Sequence, residues 1–284
     1  MKTIHTIKDL QAELQACRDM NKTIGLVPTM GALHAGHISL VEKSVTQNDI
    51  TVVSVFVNPT QFNNANDLLT YPRTFVADSE LLAENGVDIL FAPSDDEMYP
   101  EPDTRQFDYS PLDTVMEGRF RPGHFNGVCQ VVSKLFSIVN PTRAYFGEKD
   151  FQQLAIIRKM ASDLFPQLTI VGCPIMRESD GLALSSRNAR LSVEERIEAL
   201  TISKTLMDSV EFGRTHTLAE TIEFVTEGIA ANPALTLEYF ELVDGYSLQQ
   251  IANWEDTHYA VGCITVYCGK NEVRLIDNIT YLKN

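Results

Sequence analysis

Thr23-Ile24-Gly25-Leu26-Val27-Pro28-Thr29-Met30-Gly31-Ala32-Leu33-His34-Ala35-Gly36-His37 decides the fold. Its first five residues form a short apolar run halted by Pro28, the pattern of a buried strand. Apolar side chains then recur at helical spacing, at Ile38, Leu40, Val41 and Val45. Ile50-Thr51-Val52-Val53-Ser54-Val55-Phe56-Val57 follows, continuous and rich in β-branched residues, as a strand covered on both faces is. The spacing predicts a helix over 73–84, stopped by Asn85-Gly86, and a third strand at Val87-Asp88-Ile89-Leu90-Phe91 before Pro93. Strand, helix, strand, helix, strand with short connections marks a parallel α/β sheet.

Outward from that core, residues 94–125 are rich in Pro, Gly, Asp and Tyr and show little period, so a loop-rich excursion is expected. Val128, Val131, Val132, Leu135, Phe136 and Val139 return to helical spacing, ended by Asn140-Pro141. A strand at 143–146, a helix at 151–164 and a strand at 168–175 come next. The character then changes. Two acidic amphipathic helices, 193–212 and 218–230, precede strand-like segments at 235–243, 259–267 and 273–276, which suggests a small α+β domain beginning near 176–190.

The 284 residues suit two domains, and 44% hydrophobic with 21% charged residues excludes wholesale disorder. Lys and Arg total 23 against 38 Asp and Glu, a net charge of −15, which suits neither general nucleic-acid binding nor an anionic membrane. No apolar run reaches the length of a membrane span, and Met1-Lys2-Thr3-Ile4-His5 lacks an apolar signal core. Cys17, Cys129, Cys173, Cys263 and Cys268 have neither CxxC nor metal-ligand spacing and read as reduced, packed thiols of a cytosolic protein. The acid is uneven: residues 191–284 hold 15 acidic and 6 basic residues, whereas 115–190 hold 6 acidic and 10 basic. A locally positive stretch suits a small, highly charged anion, although cations dotted over solvated helix faces give the same count.

The loop after the first of these strands lies at a carboxyl end, where parallel sheets bind ligands. Gly31 and Gly36 let backbone approach a ligand, and His34 and His37, three apart, share a face of the first helical turn. Two imidazoles at the positive end of a helix dipole suit phosphate oxygens. Gly31-x4-Gly36 has the P-loop frame, but His37-Ile38 stand where its Lys and Ser/Thr belong, and GxGxxG is absent. The histidine pair supplies only two zinc ligands, with no cysteine near.

HxGH in this position resembles the adenylyl-transferring superfamily that includes class I aminoacyl-tRNA synthetases and small nucleotidylyltransferases. Further motifs narrow it: Phe56-Val57-Asn58-Pro59-x-Gln61-Phe62, Tyr71-Pro72-Arg73-Thr74, Arg121-Pro122-Gly123-His124-Phe125, Phe146-Gly147-Glu148-Lys149-Asp150-x-x-Gln153, Leu184-Ser185-Ser186-Arg187-Asn188 and Arg274-Leu275-Ile276-Asp277-Asn278. In this order they are similar to the pantoate–β-alanine ligase family. The resemblance implies a Rossmann-like, parallel-sheet α/β N-terminal domain over 1–176 and a smaller α+β C-terminal lid domain over 177–284. It also implies a cytoplasmic homodimer and a two-step reaction. ATP and pantoate give pantoyl adenylate and pyrophosphate; β-alanine then gives pantothenate and AMP. Mg²⁺ is expected to accompany ATP.

By the same resemblance, ATP is bound by Met30, Gly31, Ala32, Leu33, His34, Ala35, Gly36, His37, Gly147, Glu148, Lys149, Asp150, Met176, Leu184, Ser185, Ser186 and Arg187. His37, His34, Lys149 and Arg187 carry catalysis by neutralising phosphoryl charge, and Asp150 reads equally as a helix N-cap. Gln61 and Gln153 hold pantoate without adding charge beside an incoming anion. Met30 offers an apolar wall, and Arg121 and His124 are carried over as phosphate or β-alanine contacts. No metal ligands are assigned: Asp78 stands at a position some relatives use for metal, but its neighbour is Ala77. No base for the amine is identified, and His5, His216 and His258 have no motif around them. A nucleotidylyltransferase acting on a phosphorylated vitamin precursor and a non-catalytic nucleotide sensor are the alternatives. A tRNA synthetase is disfavoured by size and acidity.

Overall fold

Strand β2 (Ile24–Thr29) lies at the centre of a parallel sheet with β1 (Lys2–Ile4), β3 (Ile50–Val55), β4 (Ile89–Phe91), β5 (Arg143–Gly147) and β6 (Thr169–Cys173). The computed structural model describes residues 1–63 and 65–283. Among these the sheet order is β1-β4-β3-β2-β5-β6, with every pairing parallel. From β2 the chain moves outward through β3 to β4, then returns to the other side of β2 as β5. That reversal is a topological switch point, and the histidine loop leaves β2 beside it. Pro28 sits within β2 without losing a ladder bond, because pairing with β5 involves only Gly25 and Leu26.

The helices up to residue 164 are α1 (Ile7–Asp19), α2 (Ala35–Gln47), α3 (Ala65–Thr70), α4 (Phe75–Glu84), α5 (Asp95–Met98), α6 (Met116–Phe120), α7 (His124–Val139) and α8 (Phe151–Leu164). Val27, Val53 and Leu90 on adjacent strands are fully buried with Val41 of α2 and Leu82 of α4. Each such side chain stabilises the fold by about 1.5–3 kcal/mol. Several features depart from the sequence reading, among them α3, which was not expected, and β4, which is confined to Ile89–Phe91. β1 and α1 precede the first strand expected there, α1 burying only Leu10, Leu14 and Cys17. The 94–125 excursion contains α5, α6 and the start of α7, and the 168–175 strand is confined to Thr169–Cys173.

The chain divides into two units. One comprises Met1–Tyr109, Arg121–Glu148 and Gln153–Pro174; the other comprises Ser110–Phe120, Lys149–Gln152 and Ile175–Asn284, of which Asn284 lies outside the described residues. In the second unit, β7 (Leu235–Asp244), β8 (Tyr259–Cys268) and β9 (Val273–Lys283) form an antiparallel sheet. β9 extends past the expected 273–276. Helices α9 (Val193–Gly213) and α10 (Leu218–Ala230) cover one face, burying Leu206, Val225 and Ile229 with Ile264, Val266 and Val273. Both open on capping boxes, Ser192 with Glu195 and Thr217 with Glu220.

Alternation along β7 turns Tyr239 and Glu241 to the opposite face, where the Ser110–Phe120 segment lies. Phe120 stacks on Tyr239 with ring centroids 5.4 Å apart. Glu117 accepts hydrogen bonds from Arg274 Nη1 and Nη2, both at 2.7 Å, from Tyr239 Oη at 2.8 Å and from Thr265 Oγ1 at 2.9 Å. Burial alone would raise its pKa, but the Arg274 guanidinium and these donors outweigh desolvation and hold the carboxyl at about 2.

Candidate active site

The loop from β2 to α2 is shaped by its own backbone needs. Gly31 has φ +80°, and an added Cβ would lie 3.0 Å from Asp78 Oδ2. Asp78 of α4, 3% exposed, accepts the N–H groups of Ala32 at 3.0 Å and Leu33 at 2.8 Å, and Thr74 Oγ1 donates to it at 3.1 Å. Its two oxygens therefore brace the loop. This role was not visible in sequence, because its partners lie more than forty residues earlier.

His34 is the N-cap of α2, and the two histidines replace the usual capping-box residues. His34 Nδ1 accepts the Gly36 N–H at 3.1 Å, and His37 Nδ1 accepts the His34 N–H at 3.3 Å. The ring centroids are 4.1 Å apart. An imidazole whose Nδ1 accepts carries its proton on Nε2 when neutral. Both rings are thus set as Nε2–H donors at a helix N-terminus, the arrangement that suits an anion. A cavity of about 570 Å³ opens beside the loop, lined by Met30, Gly31, Phe56, Arg73 and Asp78 among others. Its size is that of a small-molecule site.

Gln61, Met30, Arg121 and His124 come together in the same unit. Gln61 closes a 3-10 turn, Pro59–Gln61, and its Nε2 lies 3.2 Å from Met30 Sδ. Asn58, 1% exposed, donates to Gln61 Oε1 at 3.1 Å and to Gly127 O at 3.2 Å. Gly127 is required there: an added Cβ would lie 2.4 Å from Thr60 O. His124 Nδ1 donates to Gln61 O at 2.8 Å, which leaves Nε2 of the neutral ring to accept Arg121 Nη1 at 3.2 Å. Asn58 was quoted in a motif but given no role; its burial marks it as the organiser of Gln61. Gln153 is half-buried in the first turn of α8. Its neighbour Gln152 is buried and structural, donating to Leu112 O and Val115 O and accepting the Glu117 N–H.

Gly147 ends β5, and the Glu148 N–H donates to Cys173 O at 2.8 Å. Lys149, Met176, Leu184, Ser185, Ser186 and Arg187 belong to the second unit. Residues 176–184 form a hairpin: Leu184 N donates to Met176 O at 3.0 Å and Glu178 N to Leu182 O at 2.9 Å, with Gly181 at φ +96° in the turn. Ser185 then caps a 3-10 turn, Ser186–Arg190, its Oγ accepting the Arg187 N–H at 3.2 Å. That leaves the Ser185 hydroxyl hydrogen as a donor. Lys149 and Ser185 line one void of about 10 Å³ with Asp277 and Asn188. Asp150 is exposed immediately before α8.

Among the described residues, no group of three or more His, Cys, Asp or Glu side chains has a metal-holding arrangement. Asp78 has both oxygens on the loop. The five cysteines are buried and unbridged. His216 stacks on Phe212 at 3.7 Å, an ordinary packing role.

A family model described as pantoate-beta-alanine ligase matches residues 2–280. A pantothenate synthetase of Phocaeicola vulgatus is 70% identical over 282 residues, covering 99% of both chains. The crystal structure of pantothenate synthetase from Thermus thermophilus superposes with a TM-score of 0.92 at 42% identity, covering 99% of this chain and 100% of that one. A Francisella tularensis pantoate-beta-alanine ligase, complexed with beta-gamma ATP and beta-alanine, gives a TM-score of 0.82 at 35% identity, covering 99% and 98%.

Proposed function

This chain belongs to the pantoate–β-alanine ligase family, which joins pantoate to β-alanine with ATP, and we propose that it does so through a pantoyl adenylate. The observation that carries the proposal is the histidine capping box at the switch point.

Pantoate's carboxylate is ionised at neutral pH, so the first step needs no general base. Its oxygen attacks the α-phosphorus of ATP and the bond to pyrophosphate breaks. Such a displacement calls for positioning and for neutralising phosphoryl charge. The Nε2–H groups of His34 and His37 supply donors, His37 at the α-phosphate or bridging oxygen. Lys149 and Arg187 supply fixed charge, and Ser185 and Ser186 supply hydroxyl donors. Gly31 and Gly36 bring loop backbone to the nucleotide; Gly147, Glu148, Asp150 and Met176 complete the ATP contacts. Gln61 and Gln153 hold pantoate against Met30, with Arg121 and His124 beside Gln61 to receive phosphate or β-alanine. In the second step the neutral amine of β-alanine attacks the acyl carbon, and the bond from that carbon to the AMP oxygen breaks.

Mg²⁺ is assigned to the incoming ATP, where phosphate oxygens and water satisfy a hard cation without a protein cage. We place the protein in the cytoplasm, a reading supported by five unbridged thiols. No described helix is long and apolar enough to cross a membrane. A homodimer belongs to the same reading, supported by exposed Phe75 and Val76 side by side in α4. Residues 177–284 are assigned the lid.

The test is pantoate-dependent exchange between ATP and labelled pyrophosphate without β-alanine. Exchange that requires pantoate is expected, followed by AMP and pantothenate when β-alanine is added. AMP formation only when all three substrates are present, with exchange absent even when pyrophosphate is supplied, would favour a concerted route.

A further inference from the structure

Arg274-Leu275-Ile276-Asp277-Asn278 on β9 has no part in the roles assigned above, yet it carries three buried or nearly buried polar side chains. Arg274 grips Glu117 and also pairs with Glu238. Asp277 and Asn278 are 5% and 7% exposed. Burying a charge pair costs solvation that apolar residues of similar volume do not pay, so stability alone is a weak reason for it. What these groups hold is more informative.

Asp277 receives a two-pronged ion pair from Arg177, Nη1 to Oδ2 at 2.7 Å and Nη2 to Oδ1 at 2.9 Å. Arg177 stands on the first strand of the 176–184 hairpin, bridged to Ala183, and its Nη1 also donates to Gly181 O at 3.2 Å in the turn. One carboxylate thus fixes both stem and tip of the hairpin. Asn188 Nδ2 donates to Ala183 O at 3.0 Å, tying the following 3-10 turn to the same stem. Ser185, Ser186 and Arg187 lie between these two anchors.

Asn278 acts on the other cation. Its Nδ2 donates to Lys149 O at 2.9 Å, while its own N–H donates to Asp277 Oδ1 at 2.8 Å. Two adjacent residues of one strand therefore restrain the backbone of Lys149 and the hairpin before Arg187, and Asp277 shares a void with Lys149 and Ser185.

We propose that Asp277 and Asn278 are positioning residues for adenylation, Asn278 setting the main chain of Lys149 and Asp277 setting, through Arg177, the segment that presents Ser185, Ser186 and Arg187. Neither touches substrate. The inference rests on the assignment of Lys149 and Arg187 to the ATP phosphates. Their charge is taken to fall on the β- and γ-phosphates, and pyrophosphate has departed before β-alanine attacks, so misplacing these cations slows the first half-reaction and spares the second.

The experiment compares Asn278→Ala, Asn278→Asp and Asp277→Asn with Lys149→Ala. Each is assayed for pantoate-dependent ATP–pyrophosphate exchange, for AMP release when β-alanine is added to synthetic pantoyl adenylate, and for thermal midpoint. Asn278→Asp keeps the side chain's shape but replaces the donor to Lys149 O with an acceptor, so a loss shared by both Asn278 variants reports the polar contact rather than a hole. Exchange is expected to fall about tenfold to a hundredfold in the Asp277 and Asn278 variants. Aminolysis of the adenylate is expected to stay within about twofold of the native rate. Native exchange in Asn278→Ala and Asn278→Asp, with exchange lost in Lys149→Ala, overturns the inference alone. Equal losses in both half-reactions also overturn it, since they mark a purely structural role. Native exchange in Lys149→Ala removes the lysine assignment, and the inference with it.

Discussion

His37 Nδ1 accepts the backbone N–H of His34, while His34 Nδ1 accepts that of Gly36. Each ring therefore serves the helix terminus with one nitrogen and carries its proton on the other. His124 shows the opposite tautomer, donating from Nδ1 to Gln61 O. Capping and catalysis are separable at His34. Asn is a good N-cap, so His34→Asn should keep the midpoint while lowering kcat by about 10²–10³-fold. His34→Ala should lose the same activity and about 1 kcal/mol of stability. Melting curves and steady-state kinetics on both variants check this; full activity in His34→Asn would remove the ring from the chemistry.

Asp78 places the loop that carries those histidines. Asp78→Ala leaves the Ala32 and Leu33 N–H groups without their acceptor, which should cost about 2–4 kcal/mol and lower kcat/KM for ATP by at least about tenfold. Asp78→Asn, retaining one acceptor, should fall between. An Asp78→Ala enzyme with native kinetics would show that the loop holds itself.

Gln152 and Gln153 are adjacent but have different work. Gln152→Ala should lower stability by about 2 kcal/mol, because it strips partners from three buried or partly buried backbone groups, and should leave the pantoate KM near native. Gln153→Ala should raise the pantoate KM about tenfold with little change in midpoint. Pantoate titrations and melts on the pair separate the two; a reversed pattern contradicts the assignment.

Glu117 gives a pH dependence with a definite sign. Its folded value, about 2, lies below the ordinary 4.5, so the unfolded chain binds more protons. The stabilisation, roughly 3 kcal/mol, is fully present above about pH 4.5 and is lost as pH falls through about 2. In Glu117→Gln that contribution is absent at every pH. The gap in midpoint between native protein and Glu117→Gln should therefore narrow from pH 6 to pH 3, and a constant gap would speak against the depressed value.

The parallel sheet and the histidine loop were legible because their signals are local: β-branched runs, helical spacing and two glycines around two histidines. β1 and α1 were not, since β1 spans three residues and α1 buries only Leu10, Leu14 and Cys17 among polar neighbours. The length of β9 was hidden by Asp277 and Asn278, polar residues buried because they anchor other segments. Nothing near Glu117 announces that its partners are Tyr239, Thr265 and Arg274, more than a hundred residues on. Long-range pairing of polar groups leaves no period in a sequence, which is why Asn58, Asp78 and Glu117 emerge only from the structure.

The central claim is that pantoate is activated as an acyl adenylate, and isotope transfer tests it most directly. Pantoate carrying ¹⁸O in both carboxylate oxygens is turned over with ATP and β-alanine, and the products are analysed by mass spectrometry. The account predicts one ¹⁸O in AMP and the other in the amide carbonyl of pantothenate. AMP free of label, with ¹⁸O in pyrophosphate or water, would contradict it.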